Sequence, residues 1–379
     1  MNKSNTFYSI DICILNMIKR QTFRLYPTKE QEKLIQGSFG FSRWVYNYGL
    51  EKKINSHKEW IKLSAYDLDK QIALKKKEEW FERQWEYTKW IRQFSLNNLD
   101  TAFVNFFRKQ NKFPKFKSKH DNNKSYSCLD VKLWDNTIQL PRIGKVKCII
   151  HRQIEWKIGT CTVKQTPTGK YFVSLVVDNG IGLPPKLECK KETALGIDLW
   201  IKDFAITSEW TKYENPKRLK KYERRLKIRS RRHNKKVKWS NNRTKSRLEL
   251  ATIHEKVANQ RKDYIHKITN QIVKGENQTF VLEDLAIQNM VKNRKLSKAI
   301  SQVGRWMFKQ FITYKSDWCG KNVITIGRFL PSSKMCKDCG NIKHNLTLAD
   351  RVYICECCKS EYCRDLGSAI NIRDFGFSS

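Results

Sequence analysis

The sequence predicts an α+β, multidomain protein: a helical segment and a small antiparallel β-barrel, followed by a domain of acid-bearing apolar strands that a four-cysteine metal-binding module interrupts. Three observations carry that reading. Apolar residues alternate with period two over 125–180 and recur at helical spacing between Thr28 and Phe107. In the C-terminal half, a Cys-x2-Cys pair followed by a second one lies between apolar segments that carry acids. With 379 residues the chain is long enough for two or three hydrophobic cores.

Composition narrows the partners. Hydrophobic residues make up 40% and aromatics 12%, which excludes a disordered chain. There are 75 Lys and Arg against 37 Asp and Glu, a formal net charge of +38, and such a field repels itself unless a polyanion neutralises it. A membrane surface is one such polyanion, but the cations run through the whole chain and no single amphipathic helix collects them. Nucleic acid is the favoured partner. No apolar run approaches the ~20 residues of a membrane span. The candidate leader around Ile10 and Ile18 is short and contains Asp11 and Asn16. Twelve cysteines then point to metal ligands or free thiols in a reducing compartment, and the expected location is cytoplasmic.

Residues 1–16 form an N-terminal extension. From Met17 a basic, partly alternating strand runs to Pro27, and Thr28 with Gln31 three residues on caps a helix. Trp44, Tyr48, Trp80, Trp90 and Phe94 then fall at spacings suited to buried faces, with base stacking as the lesser alternative. Residues 108–120 interleave cations with Phe113 and Phe116, which suits either a loop that grips a nucleic-acid backbone or a solvated basic loop. Turns at 141–144 and 166–169 separate the period-two strands that follow, the pattern of a small antiparallel barrel. Residues 180–185 read as a linker, and a new domain begins near Glu192. Residues 214–272 form two basic helical arms with few acids between Arg224 and Arg247, as expected of a hairpin facing nucleic acid.

Three acids stand out. Asp198 lies among apolar residues on a strand, Glu283 (followed by Asp284) ends another apolar strand, and Asp365 opens a helix that runs to Ile372. An acid in a buried strand is costly unless a cation accepts it. Each acid alone could be a cap or an ion-pair partner. Together they offer the hard oxygen ligands that Mg²⁺ requires. Two such ions can activate water and stabilise the leaving oxygen of a phosphodiester. Between the second and third acids, Cys336, Cys339, Cys355 and Cys358 have the spacing of a tetrahedral Zn²⁺ site on two knuckles. Cys357 could compete for the metal, whereas His344 reads as a loop residue. Four thiolates leave no open position, so that zinc is structural.

These segments resemble the TnpB family of RNA-guided, transposon-associated nucleases, relatives of compact type V CRISPR effectors. The resemblance runs from Met17 to Ile372. It rests on Phe23-Arg24-Leu25-Tyr26-Pro27-Thr28, on Phe113-Pro114-Lys115-Phe116-Lys117-Ser118-Lys119, on Gly196-Ile197-Asp198 and on Leu282-Glu283-Asp284-Leu285. Further marks are Arg328-Phe329-Leu330-Pro331-Ser332-Ser333-Lys334, the four cysteines, Leu348-Ala349-Asp350-Arg351 and Arg364-Asp365-Leu366. It implies a wedge barrel at 17–40 and 120–190 and a helical recognition domain at 41–119. It further implies an RNase H-like RuvC nuclease domain at 191–335 and 361–379, containing the hairpin at 214–272 and split by a zinc ribbon at 336–360. The implied catalytic, Mg²⁺-holding triad is Asp198, Glu283 and Asp365. The implied partners are a guide RNA and target double-stranded DNA with a short adjacent motif, with base pairing reading the sequence.

The chain departs from the family pattern in places. The family has glycine where Trp200 stands, and glycines near Trp210, Trp239 and Trp306. Its third motif reads Asp-Arg-Asp-x-Asn-Ala-Ala where this chain has Cys363-Arg364-Asp365-Leu366-Gly367-Ser368-Ala369. Glycine is scarce, at 16 residues. One expectation covers the tryptophans: UGA codons that the source reads as glycine have been rendered as tryptophan. Drift is the alternative. Competing functions are a guide-RNA-dependent repressor with weak or no cleavage, a compact CRISPR effector, and an unguided transposition factor.

Overall fold

The computed structural model describes residues 16–75, 86–121, 124–152, 154, 157–199, 203–216, 218–284, 304–328, 330–346 and 350–378. Several features named above lie outside the described residues: the extension up to Leu15, Trp80, Trp200, Leu285, Phe329, Leu348 and Ala349. The described residues divide into two compact units, 16–181 and 182 onward.

Among the described residues, the first unit is a curled seven-stranded sheet with three helices. In chain order these are β1 (Asn16–Tyr26), α1 (Lys29–Lys58), α2 (Ala65–Leu74), α3 (Lys89–Phe107), β2 (Lys124–Cys128), β3 (Lys132–Trp134), β4 (Thr137–Leu140), β5 (Gly144–Ile149), β6 (Lys157–Gln165) and β7 (Tyr171–Gly182), with sheet order β2-β6-β7-β1-β5-β4-β3. The expected cap forms. Gln31 N donates to Thr28 Oγ1 (3.3 Å), and Thr28 N donates to Gln31 Oε1 (3.1 Å). From there α1 runs unbroken for 30 residues, across the boundary drawn at residue 40. Period two places Tyr171, Val173, Leu175 and Val177 on the buried face of β7. Each such aliphatic contributes about 1.5–3 kcal/mol. Ile35, Phe39 and Val45 of α1 close the same core.

Trp44, Tyr48 and Trp90 pack against that core, so packing is their structural role. Trp44 stacks on Tyr48 at 5.2 Å, and Trp90 Nε1 donates to Asp130 Oδ2 (2.7 Å). In the basic loop, Phe113 sets its edge against Phe103 and Phe106, while Phe116 stays exposed. A paired hydrogen bond between Asn47 and the Lys117 backbone anchors the loop.

The second unit contains β8 (Ala194–Asp198), β9 (Asp203–Thr207), β10 (Lys212–Glu214), α4 (Arg218–Asn234), α5 (Asn241–Lys274), β11 (Thr279–Glu283), α6 (Arg305–Trp318), β12 (Asn322–Ile326), β13 (Val352–Ile354), β14 (Glu361–Cys363) and α7 (Arg364–Phe375). Five strands form one sheet in the order β10-β9-β8-β11-β12. β8, β11 and β12 are parallel, β9 runs antiparallel to β8, and β10 antiparallel to β9. That order and those directions are the RNase H-like arrangement. One face, carrying Leu195, Ile197, Phe280 and Leu282, packs on Ile265, Ile268 and Ile272 of α5 and on Phe308 and Ile312 of α6. The other carries Val281 and Ile326 against Ile372 of α7. At Gly196 a Cβ would stand 2.0 Å from the Ala369 carbonyl, so only glycine lets α7 lie this close to β8.

The two basic arms are α4 and α5, with the Ser240 side chain capping α5. Three tryptophans, Trp60, Trp210 and Trp239, have left-handed backbone angles (φ 57°, 65° and 71°). Trp306 is helical, the second residue of α6. No helix among the described residues is long and apolar enough to cross a membrane.

Candidate active site and metal centre

Strand register brings the first two acids together. Leu282 of β11 lies opposite Ile197 of β8, so the next residues, Glu283 and Asp198, end adjacent parallel strands. Neighbouring strands are about 4.8 Å apart. Side chains alternate along a strand, so Asp198 shares the face of Gly196 and Glu283 that of Val281, the face that α7 covers. Asp365 stands on the first turn of α7. Asp198 and Asp365 are each 7% exposed, and Glu283 is half-buried.

Electrostatics reports the cost of this arrangement. Burial, with Asp198 beside it, pushes the Glu283 carboxyl up to about 7, and Arg305 opposes the shift. Asp365 Oδ1 is buried with no hydrogen-bond partner among the described residues, and its Oδ2 lies 3.6 Å from Arg351 Nη1. Asp198 and Glu283, two mutually repelling acids at neighbouring strand ends, are oxygen donors suited to a hard divalent cation. Asp365 opens the helix that covers their face and, among the described residues, is not drawn into one ligand cluster with them. Asp284 differs from its neighbour. It pairs outward with Arg328 Nε (2.7 Å) and Lys309 Nζ (3.7 Å), which leaves Glu283 as the inward acid of the pair. Beside the site opens a cleft of about 420 Å³, lined by Leu199, Glu283, Arg305, Lys309, Thr313 and Tyr314 among others.

Arg305 and Arg351 were not singled out from sequence. Arg351 lies in a quoted motif, and its spacing from Asp365 was the available signal. Nothing local in the sequence marks Arg305.

The departures around Asp365 have local partners. Gly367 lets the Tyr362 ring lie where a Cβ would meet it at 2.2 Å, so the family's asparagine would collide there. Cys363 is the N-cap of α7 and makes no side-chain capping bond, a bond that the family's aspartate could supply.

The four expected cysteines converge. The Sγ atoms of Cys336, Cys339, Cys355 and Cys358 all lie within 4.8 Å of one another, the one such group among the described residues. Cys357 and His344 are not members, which ends the competition between Cys357 and its neighbours. Each knuckle turns through a left-handed residue, Gly340 (φ 75°) and Lys359 (φ 61°). Hydrogen bonds from Ser360 hold the Cys358 thiol down to about 6, which favours the thiolate that a metal needs. Tyr353 stacks on Tyr362 (5.0 Å, 13°) beneath the cluster.

Comparison with known proteins places the chain among relatives. A family model described as "Probable transposase" matches residues 177–294, a "Cas12f1-like, TNB domain" model matches 306–372, and a "Helix-turn-helix domain" model matches 17–62. In this structure the last stretch is β1 followed by the single long helix α1 and its end. A Streptomyces pristinaespiralis protein named as a candidate RNA-guided DNA endonuclease is 32% identical over 97% of this chain and 91% of its own length. The candidate RNA-guided DNA endonuclease InsQ of Escherichia coli K12 is 27% identical over 92% and 90%. Among solved structures, the Cas12f1–sgRNA–target DNA complex aligns with a TM-score of 0.58 at 12% identity, covering 94% of this chain and 99% of that one. The mini-RNA-guided endonuclease CRISPR-Cas phi3 aligns at 0.51 and 9% identity over 96% and 93%. At such identities the likeness is one of fold.

Proposed function

We propose that this chain, which belongs to the TnpB family, is an RNA-guided DNA endonuclease that hydrolyses DNA phosphodiesters at Asp198, Glu283 and Asp365 with two Mg²⁺ ions. The observation that carries the reading is the paired strand-end acids on the face covered by α7, where Asp365 keeps a buried oxygen without a donor. The presence of all three acids favours cutting over a repressor that only occupies DNA. Bound Mg²⁺ would supply a polarised water and charge stabilisation for the leaving oxygen. Asp198 and Glu283 hold their carboxylates on a rigid sheet, and α7 fixes the third; such rigidity lets a site act without reorganising.

Cys336, Cys339, Cys355 and Cys358 would hold one structural Zn²⁺. A guide RNA pairs with the target strand, the protein reads a short motif on double-stranded DNA, and the whole works in the cytoplasm. In domain terms, the barrel (17–40, 120–190) and helical region (41–119) precede a nuclease domain (191–335, 361–379) split by the ribbon (336–360). The same chemistry serves a transposon-encoded guide or a CRISPR array transcript, and sequencing RNA that co-purifies with the protein separates the two.

The test is direct. Protein loaded with that RNA should cut a matched plasmid in Mg²⁺. Asp198→Ala should bind the plasmid with unchanged affinity and cut it about 100-fold more slowly or less. Equal cutting by the variant would remove Asp198 from the chemistry.

A further inference from the structure

Arg305 is in a place where a cation is disfavoured twice. It is the first residue of α6, where the helix dipole already presents about half a positive charge. It is also 6% exposed, where an unanswered charge is costly. Its backbone has no freedom to retreat. The preceding Gly304 has φ 69°, and a Cβ there would meet Ile265 Cδ1 at 2.9 Å, so the start of α6 is pressed onto α5. Something anionic must hold the charge, and the acids placed to do so are Glu283, on the wall of the same cleft, and Asp198, at the end of the strand beside it. Arg305 and Glu283 line the same cleft. The other cations nearby are spoken for: Lys309 and Arg328 pair with Asp284, and Arg351, half-exposed, pairs with Asp365.

We propose that Arg305 is the resident counter-cation of the Asp198–Glu283 pair, and that a divalent metal must displace its charge from them. The inference rests on the metal-site reading above. A fixed guanidinium keeps the two carboxylates in place in the metal-free protein, where they would otherwise repel each other apart. It also sets how much divalent cation is required to load the site. Arginine suits this task because it stays charged when buried. Once metal neutralises the acids, Arg305 becomes a positioning residue at the wall of the cleft.

The experiment titrates Mn²⁺, as a probe for the site, into the purified full-length protein by calorimetry, with thermal melts alongside. Arg305→Gln should bind Mn²⁺ about tenfold more tightly than wild type, since one unit of repulsion is removed at short range. Its melting temperature should fall without metal and recover in excess Mg²⁺, a rescue that a merely structural arginine would not give. Arg305→Lys keeps the charge and should stay within about threefold of wild type, and it carries the comparison if Arg305→Gln does not fold. Lys309→Gln, which loses a contact to Asp284 instead, should leave Mn²⁺ affinity within the same range. Wild-type binding that Arg305→Gln leaves unchanged, or an Arg305→Lys affinity far outside that range, overturns the counter-cation role alone. Equal Mn²⁺ binding by wild type and Asp198→Ala overturns the metal site itself.

Discussion

Trp60 occupies a position that glycine normally takes. Glu59 caps α1, Trp60 N donates to His57 O (3.2 Å) and Ile61 N to Ser56 O (2.8 Å). That pair of bonds is a Schellman ending, whose left-handed residue is usually glycine. Trp210 repeats the pattern in the β9–β10 hairpin. Its N donates to Thr207 O (3.0 Å) and Thr207 N to Thr211 O (3.1 Å), a turn whose left-handed residue is again usually glycine. Trp239 stands left-handed just before the Ser240 cap of α5. Seven non-glycine residues have positive φ among the described residues, and three are tryptophan, a residue that makes up only 12 of 379. Exposure of 93% and 81% gives Trp60 and Trp239 little packing to offset the strain, and Trp210, 47% exposed, has a surface Lys212 cation over its ring at 4.4 Å. A bulky residue in this region costs about 1–2 kcal/mol, whereas glycine loses about 0.4–1 kcal/mol through its freer unfolded chain. Glycine therefore wins at all three positions. The gene should carry UGA at codons 60, 210 and 239, and UGG there would refute recoding. Independently, Trp60→Gly, Trp210→Gly and Trp239→Gly should each raise stability by up to about 1 kcal/mol in thermal melts. Trp306→Gly, inside a helix and without this strain, should cost roughly 0.5–1 kcal/mol.

Individual elements were legible in the sequence wherever the signal was local. The Thr28–Gln31 cap, the alternation in β7, the two arms α4 and α5 and the cysteine knuckles each reside in a few consecutive residues. What sequence could not supply is register and approach. That Ile197 lies opposite Leu282 follows from packing across 85 positions, and the contact of Ala369 on Gly196 from a still longer loop. Arg305 was invisible for the same reason. The four-cysteine segment is the element whose stability would depend most on a bound metal. Its buried core is Cys336, Tyr353 and Cys355, with Leu346 and Tyr362 partly buried around it. So few apolar side chains cannot hold two short strands against chain entropy without a cross-link. Stripping the metal with a chelator, or Cys358→Ser, should therefore deprotect amides of 335–363 in hydrogen exchange while β5–β7 stay protected. Protection of the ribbon that survives metal removal would mean that the thiols are structural without an ion.

At the scale of the whole molecule, charge is the dominant fact, since a net +38 must find a polyanion. Part of it is concentrated on α4, where Arg224, Arg225, Arg231 and Arg232 are exposed, whereas Arg229 is paired with Glu249. Exposed cations without acids in reach either serve solubility or neutralise phosphates, and salt dependence separates the two. Each phosphate neutralised on duplex DNA releases counterions and adds about 0.9 to the slope of log affinity against log salt. If the four arginines of α4 contact the backbone, changing all four to glutamine should flatten that slope by roughly 3 to 4. The loss should be alike for matched and unmatched targets, since phosphate contacts carry no sequence information. Melting temperature should hardly move, because these side chains are exposed and α5 keeps its own packing through Ile253, Val257 and Ile265. An unchanged slope with an unchanged melt would assign the hairpin to solubility and move the nucleic-acid contact to the other cations of the chain.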